Sequence, residues 1–309
     1  MSRPEPSRES IVRTEAVMGT LVTIEIVIPQ AAARESAQQA TERAFGWFRE
    51  IENRCTRFDP TSELMQLAAR PGEAVVASPM LFEAIRFALL VAEETGGAFD
   101  PTAGHRMMAR GFDREHRSGA QVHLDFEAAP DATWRDIEID PDRRTIKLRR
   151  PLIPDLGAVA KGLAIDTAAQ ELKPFGNFAI DAGGDLYTAG TNRFDEPWIV
   201  GIRHPRNKGE LLESLRISGQ AVCTSGDYER RGDDGRSHIL DPRTGNVADS
   251  VASATVVAPV AMLADALATA AFVLGPDDGI RLLDRMGVAG IIVTPDLARY
   301  ETGTLPHAA

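Results

Sequence analysis

The sequence predicts an α+β fold in which mixed, largely antiparallel sheets pack against helices. Strand-like and helix-like segments alternate along the 309 residues without the regular strand–helix–strand spacing of a doubly wound parallel sheet. Residues 177–190 (NFAIDAGGDLYTAG) have the pattern of two strands joined by a glycine turn. A chain of this length can bury a sizeable core, and 43% of its residues are hydrophobic.

The first half of the chain predicts one long strand, two helices and two short strands. In chain order these are a strand at 18–28, an amphipathic helix at 31–52, a helix at 78–97, and short strands at 136–140 and 145–149. The second helix has the clearest limits, because Ser78 is a good N-cap, Pro79 suits the first turn, and Gly96 and Gly97 end the pattern.

The second half of the chain alternates more rapidly between strand patterns and helix patterns. In chain order the predictions are a glycine-bounded loop entering a helix at 155–172, the two strands of 177–190, strands at 197–205, 214–226 and 253–259, helices at 263–275 and 276–287, and a strand at 289–295. The helix at 263–275 (LADALATAAFVLG) is apolar on nearly every face, so we expect it to be buried.

Charge and composition exclude some partners and suggest a compartment. The formal net charge of −11 argues against binding to nucleic acid or to an anionic membrane surface. We expect no membrane insertion, since no run of about 18 apolar residues is present. The first 17 residues lack the apolar stretch of a secretion signal, and Cys55 and Cys223 do not form a disulfide framework, so a cytoplasmic location is expected.

Two glycine-containing segments are candidate ligand loops. The segment GAVAKG (157–162) has two glycines, Lys161 and a helix N-terminus, which suit an anion, although Walker A would require Gly-Lys-Ser/Thr. An ordinary loop-to-helix junction is the alternative. In DAGGD, Asp181 and Asp185 flank two glycines, a pattern that favours a tight turn with solvated carboxylates over a ligand loop.

Asp265 and Thr269 place two oxygen-bearing side chains on one face of the apolar helix. Residues four apart lie on the same side of a helix, so a carboxylate and a hydroxyl could meet at a hard-cation site of the Mg²⁺ kind. The alternative is that Asp265 favours the N-terminal end of the helix dipole while Thr269 bonds back to a carbonyl. The helix alone does not decide between the two hypotheses.

His238 is the histidine most suited to catalysis, although a structural role is the alternative. It precedes an Ile-Leu pair and the turn DPRTG, which predicts a short strand beside a turn. The remaining histidines show no metal-ligand spacing, so a histidine zinc site is not expected.

Eight collinear segments resemble the FAD:protein FMN transferases of the ApbE family, over about residues 15–295. They are MGT, FDPTSEL, GAFDPT, DLGAVAKG, DAGGD, TSGDYER, SHILDPRTG and VVAPVAMLADALATAAFVLG. The resemblance implies an ApbE-like fold with a single domain at 15–298, between a polar N-terminal tail at 1–14 and a C-terminal tail at 299–309.

The resemblance also implies a reaction and its residues. Members of the family cleave FAD, transfer FMN to a threonine or serine hydroxyl of an acceptor protein, release AMP and require Mg²⁺. The implied metal ligands are Asp265, Thr269 and the backbone carbonyl of Ala158. The implied flavin contacts are Met18, Phe58, Ala98, Phe99, Asp100, Asp155, Lys161, Asp181 and the backbone of Ile239. His238 matches the family's histidine and is the candidate base, because an imidazole titrates near neutrality.

Two departures from the family pattern affect the site. Ala268 stands where many members have an aspartate, so one potential metal oxygen is missing, and Phe58 stands where a tyrosine is common. Two other functions use the same residues: a Mg²⁺-dependent FAD pyrophosphatase, in which water replaces the protein hydroxyl, and a non-catalytic FAD-binding protein. Intact Asp265, Thr269 and His238 argue against the latter, since storage of FAD needs neither a metal site nor a base.

Overall fold

The computed structural model describes residues 8–114, 119, 121–122, 126–229 and 237–308, and it confirms the α+β class. The strands are β1 (Glu9–Val17), β2 (Thr20–Ile28), β3 (Ala74–Val76), β4 (Ile137–Asp140), β5 (Thr145–Leu148), β6 (Phe178–Ala182), β7 (Asp185–Ala189), β8 (Trp198–Arg203), β9 (Leu211–Ile217), β10 (Gln220–Gly226), β11 (Ser253–Ala258), β12 (Ala289–Val293) and β13 (Arg299–Thr302). The helices are α1 (Arg34–Cys55), α2 (Glu63–Ala68), α3 (Pro79–Glu94), α4 (Gly104–Met108), α5 (Gly157–Leu172), α6 (Ala261–Leu274) and α7 (Pro276–Met286).

An eight-stranded sheet organises the molecule, in the order β1-β2-β6-β7-β10-β11-β12-β13. Each neighbouring pair in this order is antiparallel, which confirms the predicted strand direction. Two small antiparallel sheets accompany it, β3-β5-β4 and the hairpin β8-β9.

The large sheet is buried on both faces where β10 and β11 lie. Because side chains alternate along a strand, Cys223 and Val256 face the main core with the helices, while Val222 and Val257 face a smaller core. The hairpin β8-β9 closes that smaller core, with Leu215 among its fully buried side chains. The helices therefore cover one face of the sheet, and the hairpin covers part of the other.

Close packing of α5 against α6 depends on a glycine. A Cβ added to Gly162 of α5 would lie 2.4 Å from the Cα of Met262 in the first turn of α6. Small side chains on α6, including the fully buried Ala264 and Ala268, also let it sit deep in the core. The helix predicted at 263–275 is thus confirmed as buried, and it begins two residues earlier, at Ala261.

The N-terminus of α6 is capped from another helix. The Asp166 carboxylate, on α5, accepts one hydrogen bond from the N–H of Ala261 (2.7 Å) and one from the N–H of Met262 (2.9 Å). Asp265 lies in the second turn of α6, and the N-cap residue, Val260, provides no side-chain cap. The hypothesis that Asp265 stabilises the N-terminus of α6 is therefore wrong, because the Asp166 carboxylate caps it.

The structure corrects both predicted tails. β1 begins at Glu9, inside the predicted tail at 1–14, because it pairs along its whole length with β2. β13 occupies Arg299–Thr302, inside the predicted tail at 299–309, because it pairs with β12. The remaining extent of the single domain stays a prediction.

Within the described residues no helix has the length and apolar character needed to cross a bilayer, and the cytoplasmic location stays a prediction.

We predict that Gly162→Ala lowers the free energy of unfolding by about 1–3 kcal/mol, because the new methyl group meets backbone atoms that have no room to move. Gly46→Ala is the matched control, since a Cβ at Gly46 on α1 meets nothing within 4 Å. The control is expected to raise stability by roughly 0.5–1 kcal/mol through helix propensity. Urea denaturation measures both, and equal stability of the Gly162→Ala and unaltered chains would contradict the close α5–α6 contact.

Candidate active site

A cavity of about 240 Å³ lies where α5 and α6 meet β10, the turn after α3 and the segment 238–242. It collects most of the residues that the sequence nominated. Those that line it are Phe58, Ala98, Phe99, Asp100, Asp155, Ala158, Lys161, His238, Ile239, Asp265 and Thr269. Residues from distant parts of the chain thus converge on one pocket.

A wider cavity of about 1130 Å³ adjoins the first and shares Lys161 and Glu229 with it. Met18 lines this wider cavity from the turn between β1 and β2, where it has a left-handed backbone (φ +54°). Asp181 lines neither cavity. It is exposed at the end of β6, and its carboxylate accepts the N–H of Gly184 at 2.8 Å, as the tight-turn alternative predicts.

Asp265 is a buried carboxylate beside a lysine. Its residue is 6% exposed, and its Oδ2 lies 3.3 Å from the Nζ of Lys161 on α5. A buried charge requires such a partner, because an isolated carboxylate in the core is strongly destabilising. Thr269 lies one turn further along α6, where its hydroxyl is 3.1 Å from the Oγ of Ser225 and donates to the Asp265 carbonyl at 3.3 Å.

The donor atoms in the cavity suit a hard cation. Ala158 departs from helical geometry inside the first turn of α5 (φ −95°, ψ 17°), so its peptide does not follow the regular pattern of the helix. A carbonyl there, the Asp265 carboxylate and the Thr269 hydroxyl are all oxygen donors of the type that Mg²⁺ prefers. No group of three or more His, Cys, Asp or Glu side chains is arranged for a metal within the described part of the chain. A metal here would therefore depend on backbone, hydroxyl and substrate oxygens.

Asp185 is a site residue that the sequence left undecided. It is 4% exposed, pairs with Lys161, and accepts the N–H of Thr224 at 3.1 Å. Lys161 therefore stands between two buried carboxylates, those of Asp185 and Asp265. In the DAGGD turn the second aspartate, and not the first, faces the site. The sequence signal that could have identified Asp185 was its position at the start of an apolar strand.

Arg57 is a site residue that the sequence analysis missed. Its guanidinium is 5% exposed, its Nε donates to the Asp155 carboxylate at 2.7 Å, and it lies 4.1 Å from the centre of the Phe58 ring. Its Nη1 is buried and has no hydrogen-bond partner among the described residues. The second Asp155 oxygen accepts the N–H of Gly157 at 2.9 Å, which ties this ion pair to the start of α5. The only signal in the sequence was an arginine directly before the aromatic Phe58.

His238 lies in a bend and not on the predicted short strand. Bridged residues lie on both sides of it, Ser237 before and Leu240 after, and Leu240 pairs with Val247 across the predicted turn. The imidazole lies 6.1 Å from the Phe112 ring, with an angle of 59° between the ring planes. The segment 230–236 just before it is outside the described residues. The strand prediction is wrong for His238, because the backbone bends at this residue between the two bridged positions.

Asp100 has a structural task within the site. Its carboxylate accepts hydrogen bonds from the N–H and hydroxyl of Thr102 (2.8 and 2.7 Å) and from the N–H of Trp134 (3.2 Å). Burial raises the pKa of this carboxyl, while those hydrogen bonds act in the opposite direction. Asp100 thereby holds the turn that presents Ala98 and Phe99 to the cavity.

Comparison with known proteins gives a consistent result. Residues 18–292 match the model of the ApbE family. A curated relative from Rhodobacter capsulatus, named FAD:protein FMN transferase, is 32% identical over 98% of this chain and 58% of its own length. One of the same name from Treponema pallidum is 33% identical over 92% of this chain and 84% of its own length. This chain therefore spans less than two thirds of the first relative but most of the second.

A solved structure extends the comparison to the fold. The crystal structure of the ApbE protein from Thermotoga maritima superposes with a TM-score of 0.83, at 30% sequence identity, over 95% of this chain and 97% of that one. The fold is thus shared over nearly the entire length of both chains.

We predict a pH-dependent stability contribution from Asp166. Burial raises the pKa of its carboxyl from 3.8 to about 6, so the folded chain holds this proton more tightly than the unfolded chain. The contribution of the group to the free energy of unfolding is therefore present below pH 4 and is lost as pH rises through 6.

Asp166→Asn removes this titration. Relative to the unaltered chain, the variant should gain about 2 kcal/mol in free energy of unfolding between pH 4.5 and 7.5. Urea denaturation of both chains at the two pH values measures this change. If the free energy of unfolding of the variant minus that of the unaltered chain stays constant or falls as pH rises, the raised pKa is contradicted.

Proposed function

The chain belongs to the ApbE family, and on that premise we propose that it transfers FMN from FAD to a threonine or serine hydroxyl of an acceptor protein, with Mg²⁺. The observation that carries the proposal is the convergence of Asp265, Thr269 and His238 on the cavity that Lys161 lines. An anion-binding lysine, oxygen donors for a cation and a group that accepts a proton are the requirements of phosphoryl-type transfer.

The two adjoining cavities are suited to a substrate as long as FAD. Pockets for ordinary small ligands occupy about 300–1,000 Å³, so the 240 Å³ cavity is too small to hold all of FAD. The wider cavity begins at Lys161, which both cavities share. We infer that FAD occupies parts of both and that its diphosphate lies near Lys161. Under this arrangement Phe58 and Ile239 contact FAD in the smaller cavity, and Met18 contacts it in the wider one.

Mg²⁺ would be held by the Asp265 carboxylate, the Thr269 hydroxyl and the Ala158 carbonyl. When bound, the ion supplies positive charge that neutralises the phosphate oxygens and the AMP leaving group. Ala268 is fully buried and offers no side-chain oxygen at the position where many family members have an aspartate. The protein would therefore contribute a single carboxylate to the ion.

The chain's own residues then carry the transfer. Lys161 holds the diphosphate, while Asp185 keeps the ammonium oriented toward the cavity. His238 accepts the proton of the acceptor hydroxyl as its oxygen forms a bond to the FMN phosphorus. The phosphorus–oxygen bond to AMP breaks in the same displacement, so a phosphoester and AMP are the products. Arg57 and Asp155 hold the aromatic Phe58 and the start of α5 in place.

One incubation separates transfer from its alternatives. The chain is mixed with FAD, MgCl₂ and a peptide that contains a single threonine, and the products are analysed by mass spectrometry. Transfer is expected to add one FMN to the peptide and release AMP. Free FMN and AMP without an adduct would instead indicate a pyrophosphatase, and unchanged FAD would indicate a binding protein. A peptide with alanine in place of threonine is the control for the acceptor hydroxyl.

We predict that His238→Ala lowers the rate of FMN transfer by at least about 100-fold, the usual contribution of a positioned base. FAD affinity should stay within about threefold, because the remaining residues of the cavity still hold the substrate. His307→Ala is the matched control: this histidine pairs with Glu213, is exposed and lines neither cavity. Transfer at the unaltered rate by His238→Ala would remove the histidine from the mechanism.

A further inference from the structure

We propose that Asp166 is a positioning residue for the metal site. Its carboxylate fixes the first turn of α6 against α5, and so sets the distance between the Ala158 oxygen on α5 and the ligand oxygens on α6. The inference rests on the proposed function, because it concerns the same Mg²⁺ site. Asp166 itself lines neither cavity, so it would act on the metal ligands through the helices and not by direct contact.

The contact geometry supports a precise clamp. The first N–H groups of a helix have no partner within the helix, and two of those in α6, at Ala261 and Met262, bond to the two oxygens of one carboxylate. Two bonds to one rigid group restrain both position and rotation of the turn, whereas one bond would leave it free to pivot.

Two further contacts hold the same turn. Met262 bonds to Asp166 through its N–H and also packs its backbone on Gly162, one turn earlier on α5. The Cys223 thiol of β10 lies 3.7 Å from the Ala261 carbonyl on the third side. The first turn of α6 is therefore enclosed by α5 and the sheet.

The clamp lies near the metal ligands along both helices. Asp265 follows Met262 by three residues, and Ala158 precedes Asp166 by eight, about two turns of α5. A displacement of the clamp therefore moves Asp265 within one turn of α6, and it reaches Ala158 through residues of α5 that are mostly buried in the core. Mg²⁺ demands near-octahedral oxygen geometry at about 2.0–2.1 Å, so small displacements of either helix weaken its binding.

A carboxylate is an unusual choice if stability were the only purpose. α2 and α3 are capped by their own N-cap serines, Ser62 and Ser78, each accepting one backbone N–H. Burial raises the pKa of Asp166 to about 6, so its ionised form disfavours the folded state near neutral pH. A neutral cap would avoid that penalty. The charge is explained by the strength of the two bonds that it makes.

The test compares Asp166→Asn with a cap removed elsewhere. Mg²⁺ is titrated into each chain by calorimetry in the presence of ADP, which carries a diphosphate like that of FAD, and Tm is measured at pH 7.5. Asp166→Asn should raise the Kd for Mg²⁺ by about 10- to 100-fold, the usual effect of removing a residue that orients metal ligands. Ser78→Ala is the matched control and should lower Tm by about 2–4 °C with an unchanged Kd. Asp265→Ala is the reference variant for complete loss of Mg²⁺ binding.

The Tm of Asp166→Asn should be no lower than that of Ser78→Ala. A Kd for Mg²⁺ of Asp166→Asn within about threefold of that of the unaltered chain would overturn the inference. A Tm of Asp166→Asn below that of Ser78→Ala, or a failure of Asp166→Asn to fold, would also overturn it, because Asp166 would then be a residue of general stability. If the unaltered chain itself binds no Mg²⁺, the proposed metal site fails, and the inference fails with it. That outcome is distinct, because it appears before any variant is compared.

Discussion

The contact between α5 and α6 at Gly162 determines where the residues of the site lie. At this point the two helices approach so closely that an added Cβ would meet the Met262 backbone at 2.4 Å. Ala158 and Lys161 precede the contact on α5, and Asp265 and Thr269 follow it on α6. The two sets of polar groups meet in one cavity because the helices cross there. Any larger residue at the crossing would separate them.

The same crossing brings together charges that would be unfavourable apart. Lys161 lies between the buried carboxylates of Asp185 and Asp265, and its positive charge offsets part of the desolvation penalty of both. On the opposite wall of the cavity, Arg57 pairs with Asp155. The chain as a whole carries a net charge of −11, and the cavity lining combines the buried Arg57 and the partly exposed Lys161 with four acidic side chains, those of Asp100, Asp155, Glu229 and Asp265. Binding of an anionic substrate therefore depends on the placement of the two cations, because the lining as a whole has more acidic than basic groups.

The large sheet explains why the site is open on one side. Helices pack on one face, whereas the hairpin β8-β9 covers the other face mainly over β10 to β12. The wider cavity lies where the loop of that hairpin faces the turns β1–β2 and β6–β7. The smaller and the wider cavity thus share Lys161. This arrangement suits a substrate long enough to extend from one cavity into the other.

The sequence by itself determined the fold class and most of the helices and strands, but not α2, α4, β1, β3 or β13, and through the family resemblance it nominated eleven of the residues that line the smaller cavity. Periodicity and caps are local properties, so Ser78 and Pro79 marked the start of α3 directly. Only the tertiary structure decided which of Asp181 and Asp185 is buried, that Asp166 caps α6 from another helix, and that β1 and β13 complete the sheet within the predicted tails. Those outcomes depend on contacts between residues far apart in the chain, and neither spacing nor composition records such contacts.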